Sequence, residues 1–212
     1  MSEIYTDLAE MVVSGRIAEI QKLTEQALKD GARSRDILDK GLLSGMEIVG
    51  QRFKVGDMFV PEVILSARTM HAAMDVLRPF LSVSEQSGSG TIIIGTVAGD
   101  IHNVGKNLVA MILEGGGFKV VDLGVDVKPE VFVQKAKEHK PDIVAMSALL
   151  TTTMPRMAET IAALHEAGLR EQIKIMAGGA PVTEEFVKAI GGDGYAVNAV
   201  LAVEKAKALL HK

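Results

Sequence analysis

Asp100, His102 and Gly105 sit together in GTVAGDIHNVGKNLV, residues 95–109, where an apolar run gives way to polar residues. A carboxylate two residues from an imidazole can accept one ring N–H and orient the ring. The other ring nitrogen is then left as a ligand or proton shuttle. A zinc centre would need three or four protein donors. The chain has no Cys, and no second His lies in the neighbouring loops. No G-x-S-x-G elbow is present to supply an activated serine. A single oriented imidazole suits a metal that arrives already held by a macrocycle and needs one axial ligand. The competing reading makes Asp100 a cap for the helix starting near Gly105, with His102 a loop residue satisfied by backbone or water. Taken alone, the D-x-H spacing favours the cap.

The elements around this turn decide what it can reach. TIIIGTV (91–97), FKVVDLG (118–124), DIVAMSA (142–148), IKIMAGG (173–179) and GYAVNA (194–199) are short apolar runs suited to buried parallel strands. Helical stretches separate them, predicted over 105–114, 129–139, 154–167, 184–190 and 199–211. Five alternations predict an α/β domain of flavodoxin-like (Rossmann-like) type, a five-stranded parallel sheet with flanking helices. Ligands of such sheets bind beyond the carboxyl ends of the strands, at the switch point. The loops there hold Asp100 and His102, then Ser147, Thr151, Thr152 and Thr153, then Gly178 and Gly179, whose missing side chains permit close backbone approach. Lys106, at a helix start, reads as a solvated lysine. His71, His139, His165 and His211 fall on predicted helices away from these loops.

Residues 1–81 carry helical periodicity instead. Leu38, Leu42, Met46, Val49 and Phe53 recur at three- and four-residue steps, as do Val63, Ala67, Met70, Met74 and Leu77. Two earlier repeats complete a predicted four-helix bundle. SVSEQSGSG (82–90) lacks periodicity and reads as a flexible linker to residues 91–212. The net charge of −4 gives no basic field for nucleic acid or anionic membrane. No apolar run approaches the ~18 residues of a membrane span, and the acidic N-terminus lacks a signal-peptide layout. These features point to a soluble cytoplasmic chain.

GDIHNVG, then Ser147-Ala148-Leu149, then Gly178-Gly179 on successive strand ends together resemble the cobalamin-binding signature D-x-H-x-x-G, S-x-L, G-G. Upstream, QRFKVGDMFVPEVILSARTMHAAMDVLRPF resembles the helical cap domain of cobalamin-dependent methionine synthase. The whole chain is similar to corrinoid proteins of methanol and methylamine methyltransferase systems. The resemblance implies that cobalamin is the cofactor, as methylcobalamin or hydroxocobalamin. His102 would be the lower axial ligand to cobalt, with Asp100 as its hydrogen-bonded partner. Gly105, Gly178 and Gly179 would let the nucleotide tail thread into the sheet, Ser147 and Thr151 would bind that tail, and Ala199, in the loop after strand five, would close its pocket. Thr153 stands where methionine synthase has a serine linked to the Asp–His pair, and Asn103 where many relatives have a second Asp. Gly99, Ile101 and Leu149 belong to the same cofactor-binding motifs, and Phe53 and Val60 match cap residues over the upper face of cobalt.

The function implied is a methyl carrier, loaded by a substrate-specific methyltransferase and unloaded by an acceptor methyltransferase using coenzyme M or tetrahydrofolate. A reductive activase would serve it. A mutase small subunit using adenosylcobalamin shares the three motifs but lacks the cap. A cobalamin-sensing regulator shares cap and domain but needs a basic helix-turn-helix, which the acidic first 30 residues do not supply.

Overall fold

In a computed structural model of the chain, residues 2–81 and 89–210 are described. The predicted linker therefore lies mostly outside the described residues, at 82–88, as does His211. The described residues divide into two compact units between 88 and 89, with Glu114–Gly117 grouped with the first.

The first unit is helical. Helix α1 spans Ser2–Ser14 and α2 spans Ile17–Lys29. A single turn α3, Ser34–Asp36, runs through a π-helical stretch, Ile37–Leu43, into α4, Ser44–Lys54; α5 spans Val60–Leu77. Leu8, Val12, Ile20, Leu38, Leu42, Val49, Val63, Met70 and Leu77 are buried at its centre. The expected periodic faces are thus the core faces. The wide π turn is a difference from the regular helix expected through Leu38 and Leu42, because the same three- and four-residue spacing serves either winding. Gly45 permits a close crossing: a Cβ there would stand 2.8 Å from both the Ala9 carbonyl oxygen and the Val12 Cβ. Pro61 lies in the first turn of α5, where Glu62 accepts a hydrogen bond from the Phe59 N–H at 2.7 Å.

The second unit is an α/β sandwich around five parallel strands in the order β2-β1-β3-β4-β5. Strand β1 spans Thr91–Thr96, β2 Lys119–Asp122, β3 Ile143–Ser147, β4 Lys174–Gly178 and β5 Gly194–Tyr195. Helices α6 (Val104–Gly115), α7 (Pro129–His139), α8 (Pro155–Glu166), α9 (Glu184–Ala189) and α10 (Ala199–Leu209) connect and close the sheet. Alternate strand residues face opposite sides. Ile93, Val144, Met146 and Ile175 join Phe132, Met157 and Leu164 in one core. Ile92, Ile94, Ile143 and Met176 join Leu113, Phe118 and Ala206 in the other. Burial on both faces is why these strands read as unbroken apolar runs.

The fifth strand is shorter than its apolar run. Asn198 ends the run by capping α10, its Oδ1 accepting the Leu201 N–H at 2.9 Å. Ala199 is consequently the buried first residue of α10 rather than a loop residue.

Lys106 also departs from expectation. Its side chain is 1% exposed, and its ammonium donates to a carboxylate oxygen of Asp122 and to Asn107 Oδ1 at 2.7 Å. A cation in the first turn of a helix opposes the helix dipole, and Asp122 at the end of β2 offsets it. The two partners are unequal, since the Asp122 side chain is 41% exposed. Asp122→Ala, which strands a buried ammonium, is expected to cost about 3–5 kcal/mol. Lys106→Met, which leaves a carboxylate that water can reach, is expected to cost about 1 kcal/mol. Urea unfolding of the two variants measures this asymmetry; equal losses would contradict it.

Candidate functional site

The order 2-1-3-4-5 places the switch point between β1 and β3. Thr96 at the end of β1 pairs with Ser147 at the end of β3, which pairs with Gly178 at the end of β4. The three loops singled out above therefore leave the sheet side by side.

Strand β1 ends in the turn Val97–Asp100, closed by the Asp100 N–H donating to the Val97 carbonyl at 3.1 Å. Gly99 occupies the third position with φ +80°, the value a type II turn needs there and one that glycine adopts without strain. The turn sends Asp100 inward, where it is fully buried. Five donors reach its carboxylate. Oδ2 accepts from the Leu149 N–H at 2.7 Å, the Leu150 N–H at 3.3 Å and the Thr153 hydroxyl at 2.9 Å. Oδ1 accepts from the His102 N–H at 3.1 Å and lies 2.7 Å from His102 Nδ1.

Burial by itself raises the pKa of this carboxyl. The hydrogen bonds from Leu149, the His102 ring, the His102 backbone and Thr153 outweigh burial and hold it well below the usual carboxylate range. An ionised Asp100 can only accept, so the hydrogen between the two side chains belongs to Nδ1. With Nδ1 taken, Nε2 is the ring nitrogen left for a ligand, on a side chain 47% exposed. Thr96 fixes the same loop from below, its hydroxyl donating to the His102 carbonyl at 2.8 Å. Thr153 has one proton for two acceptors, Asp100 Oδ2 and the Leu150 carbonyl, each at 2.9 Å.

Asp100, His102, Thr153 and the Leu149 backbone thus form one hydrogen-bonded group. The helix-cap reading of Asp100 gives way to this arrangement, for its carboxylate is spent on the imidazole and on the β3 loop. Ser147 is half-buried in β3 and Thr151 is exposed, and neither side chain bonds to the Asp–His pair. Asn103 is exposed beside His102. Gly178, which ends β4, and Gly179, which follows it, differ in kind. A Cβ on Gly178 would meet only the Ala196 carbonyl oxygen, at 3.7 Å, whereas on Gly179 it would fall 1.8 Å from the Ala148 carbonyl oxygen, with φ at +135°. Gly178 leaves space, as a Cβ on Gly105 would also find. Gly179 is required by the fold itself. In the helical unit, Phe53 is half-buried in α4 and Val60, at the start of α5, is exposed.

Exposed apolar side chains lie on the loops at the same strand ends. Ile101 is 75% and Val104 81% exposed, and Leu149, Leu150 and Val197 are exposed as well. Exposed apolar residues gathered on the loops at one sheet edge mark a binding surface. Among the described residues no group of three or more His, Cys, Asp or Glu could hold a metal ion. A metal at His102 would therefore bring most of its own ligands.

The family described as B12 binding domain matches residues 90–204, and a second family of the same description matches residues 4–78. The chain belongs to the B12-binding family. Trimethylamine corrinoid protein 1 of Methanosarcina acetivorans is 45% identical over 191 residues, 89% of this chain and 88% of that protein. Dimethylamine corrinoid protein 1 of the same organism is 42% identical over 209 residues, 98% of each. Among solved structures, the methanol:cobalamin methyltransferase complex of Methanosarcina barkeri is similar, with a TM-score of 0.87 and 29% identity over 99% of this chain and 80% of that one.

The family cofactor, cobalamin, suits this site on three counts. It carries cobalt in a macrocycle, so it asks little of the protein's own donors, and a single nitrogen such as His102 Nε2 would suffice. Its broad corrin ring has an apolar face of the kind that the exposed Ile101, Val104, Leu149 and Leu150 could cover. Its nucleotide tail needs an open channel, and Gly105 and Gly178 are positions where a side chain would enter open space.

Asp126 supports the Val97–Asp100 turn, and the motif reading passed it over. Asp126 Oδ1 accepts the Gly99 N–H at 2.6 Å. No spacing rule links residues 27 apart, and only pairing of the strands brings them together.

Among the described residues no helix is long and apolar enough to cross a membrane.

Proposed function

We propose that this chain is a corrinoid methyl carrier that works between two partner enzymes. The observation that carries the proposal is the Asp100–His102 pair with Nε2 free to meet a ligand, in a chain matched over almost its whole length by corrinoid proteins of methylamine systems. When bound, cobalamin supplies a cobalt centre that can take up and release a methyl group.

The chain's own contribution is to bind and tune. Nε2 of His102 would hold the cobalt. Asp100, 2.7 Å from Nδ1, holds the hydrogen on that nitrogen and so would make the ring a better ligand. The Thr153 hydroxyl, shared between Asp100 Oδ2 and the Leu150 carbonyl, helps to hold Asp100 in place. Ile101 and Leu149 would keep water from the bound cofactor, Ser147 and Thr151 would bind its tail, and Phe53 and Val60 of the helical cap, residues 1–81, would be the residues to shield the cobalt. Residues 91–212 form the cofactor domain. The similarity to a methanol:cobalamin methyltransferase complex supports a methyltransferase as the donor-side partner. A second methyltransferase, using coenzyme M or tetrahydrofolate, would be the acceptor side, with a reductive activase to restore the working oxidation state.

In this reading the methyl donor is activated on the partner methyltransferase, so the chemistry is shared. The purified, cobalamin-loaded chain is expected to give at most stoichiometric methylation with methylamines or methanol, and sustained turnover only when a methyltransferase is added. Product quantified per mole of cobalamin checks this. Many turnovers by the chain alone would contradict the carrier reading.

A further inference from the structure

Among non-glycine residues described here, only Asp126 and Lys140 have positive φ, +51° and +46°. Lys140 caps the end of α7, where a left-handed residue is common. Asp126 ends no helix. A non-glycine residue held in left-handed backbone persists where its surroundings require it, and such residues gather at functional sites.

What surrounds Asp126 is the turn that carries the Asp–His pair. Its Oδ1 accepts the Gly99 N–H at 2.6 Å. Its own N–H donates to the Asp100 carbonyl at 2.9 Å. Asp126 therefore grips both sides of the Gly99–Asp100 peptide unit, from the loop after β2. Flanking bonds fix that loop against β1 in turn: the Thr96 N–H donates to the Gly124 carbonyl at 3.0 Å and the Val127 N–H to the Thr96 carbonyl at 2.9 Å. Gly99, at φ +80°, has no side-chain sterics of its own to hold the turn. Release of its N–H would let the Ala98–Gly99 peptide rotate, and rotation there swings the Asp100 carboxylate off the Leu149 N–H and the His102 ring.

We infer that Asp126 is a positioning residue for His102: it clamps the Gly99–Asp100 turn and thereby sets the direction in which the imidazole presents Nε2. The inference rests on the reading of His102 as the cobalt ligand. It places a determinant of ligation outside the three sequence motifs, in the loop after β2.

Two substitutions separate the acceptor from the backbone. Asp126→Gly keeps the left-handed conformation without strain and removes the acceptor. Asp126→Asn keeps an acceptor oxygen, tolerates the same φ and removes only the charge. The full chain, labelled with nitrogen-15 at histidine, is loaded with cobalamin and reduced to Co(II), and the ratio of histidine-bound to histidine-free cobalt is read by paramagnetic resonance. Asp126→Gly is expected to lower that ratio about tenfold, the lower end of the range for outer residues that orient a metal ligand. Asp126→Asn is expected to stay within about twofold of wild type. In the cofactor-free protein, the nitrogen-15 shifts of the His102 ring should move in Asp126→Gly and not in Asp126→Asn. A ratio and ring shifts in Asp126→Gly equal to wild type would overturn the clamp. So would a loss in Asp126→Asn as large as in Asp126→Gly, since charge and not the grip would then be at work. If wild type itself showed no nitrogen coupling, the ligand reading would fall. The clamp would then be decided by the ring shifts alone, overturned if they are unmoved in Asp126→Gly and upheld if they move.

Discussion

Asp100→Ala is expected to destabilise the cofactor-free protein by about 3 kcal/mol at neutral pH and to loosen the His102 ring. The substitution removes an acceptor that serves five donors. The Leu149 N–H and the Thr153 hydroxyl are the least able to find water in its place. A buried donor left unpaired costs about 1–3 kcal/mol, and two such groups set the expected size. Asp100→Asn should lose less, because one oxygen still accepts. The pH dependence has a definite sign. The folded-state pKa of Asp100 is depressed, so its stabilisation is fully present above the unfolded value of about 3.9 and is lost as pH falls toward the folded value. Wild type should therefore lose stability in acid more steeply than Asp100→Ala, and the gap between them should narrow below about pH 4. Urea midpoints taken across that range check both statements. Parallel acid profiles would mean that the carboxylate is not held as described.

The paired glycines at the end of β4, Gly178 and the Gly179 that follows it, give the second large effect and a contrast within it. Gly179→Ala sets a Cβ 1.8 Å from the Ala148 carbonyl oxygen at a φ of +135°. The ends of β3 and β4 must part to admit it, although the Ala148 N–H is bonded to the Gly178 carbonyl at 3.2 Å. A loss of about 4 kcal/mol or more is expected, in the range reserved for strain at special backbone positions. Gly178→Ala meets only one atom, at 3.7 Å, and should leave the cofactor-free protein within about 1 kcal/mol of wild type. Its methyl group nevertheless enters the space assigned to the nucleotide tail, so cobalamin should dissociate faster from it. Unfolding of the cofactor-free variants and a cobalamin release rate separate the two roles. Ordinary cobalamin retention in Gly178→Ala would remove that glycine from the channel.

The strands and the Asp100–His102 contact were legible because they rest on local rules. Residues such as Ile92, Ile93 and Ile94 are apolar in succession because both faces of β1 are covered, and D-x-H puts an acceptor within reach of a ring two residues on. What escaped depends on neighbours distant in sequence. Lys106 reads as solvated until α6 is laid on the sheet and meets Asp122, sixteen residues away. Asp126 sits in VDV without the glycine or asparagine that commonly signals left-handed backbone. The Leu149 and Leu150 donors to Asp100 are backbone groups, which leave no trace in residue type. The π-helical turn at Ile37–Leu43 shares its apolar spacing with an ordinary helix.

The claim on which the account turns is that His102 Nε2 is the protein's ligand to cobalt. The most direct measurement is the paramagnetic resonance spectrum of the Co(II) cobalamin-loaded chain, prepared with natural-abundance and with nitrogen-15-labelled histidine. The account predicts nitrogen splitting that changes with the label in wild type and is absent in His102→Ala. Splitting that ignores the label, or that survives unchanged in His102→Ala, would contradict it.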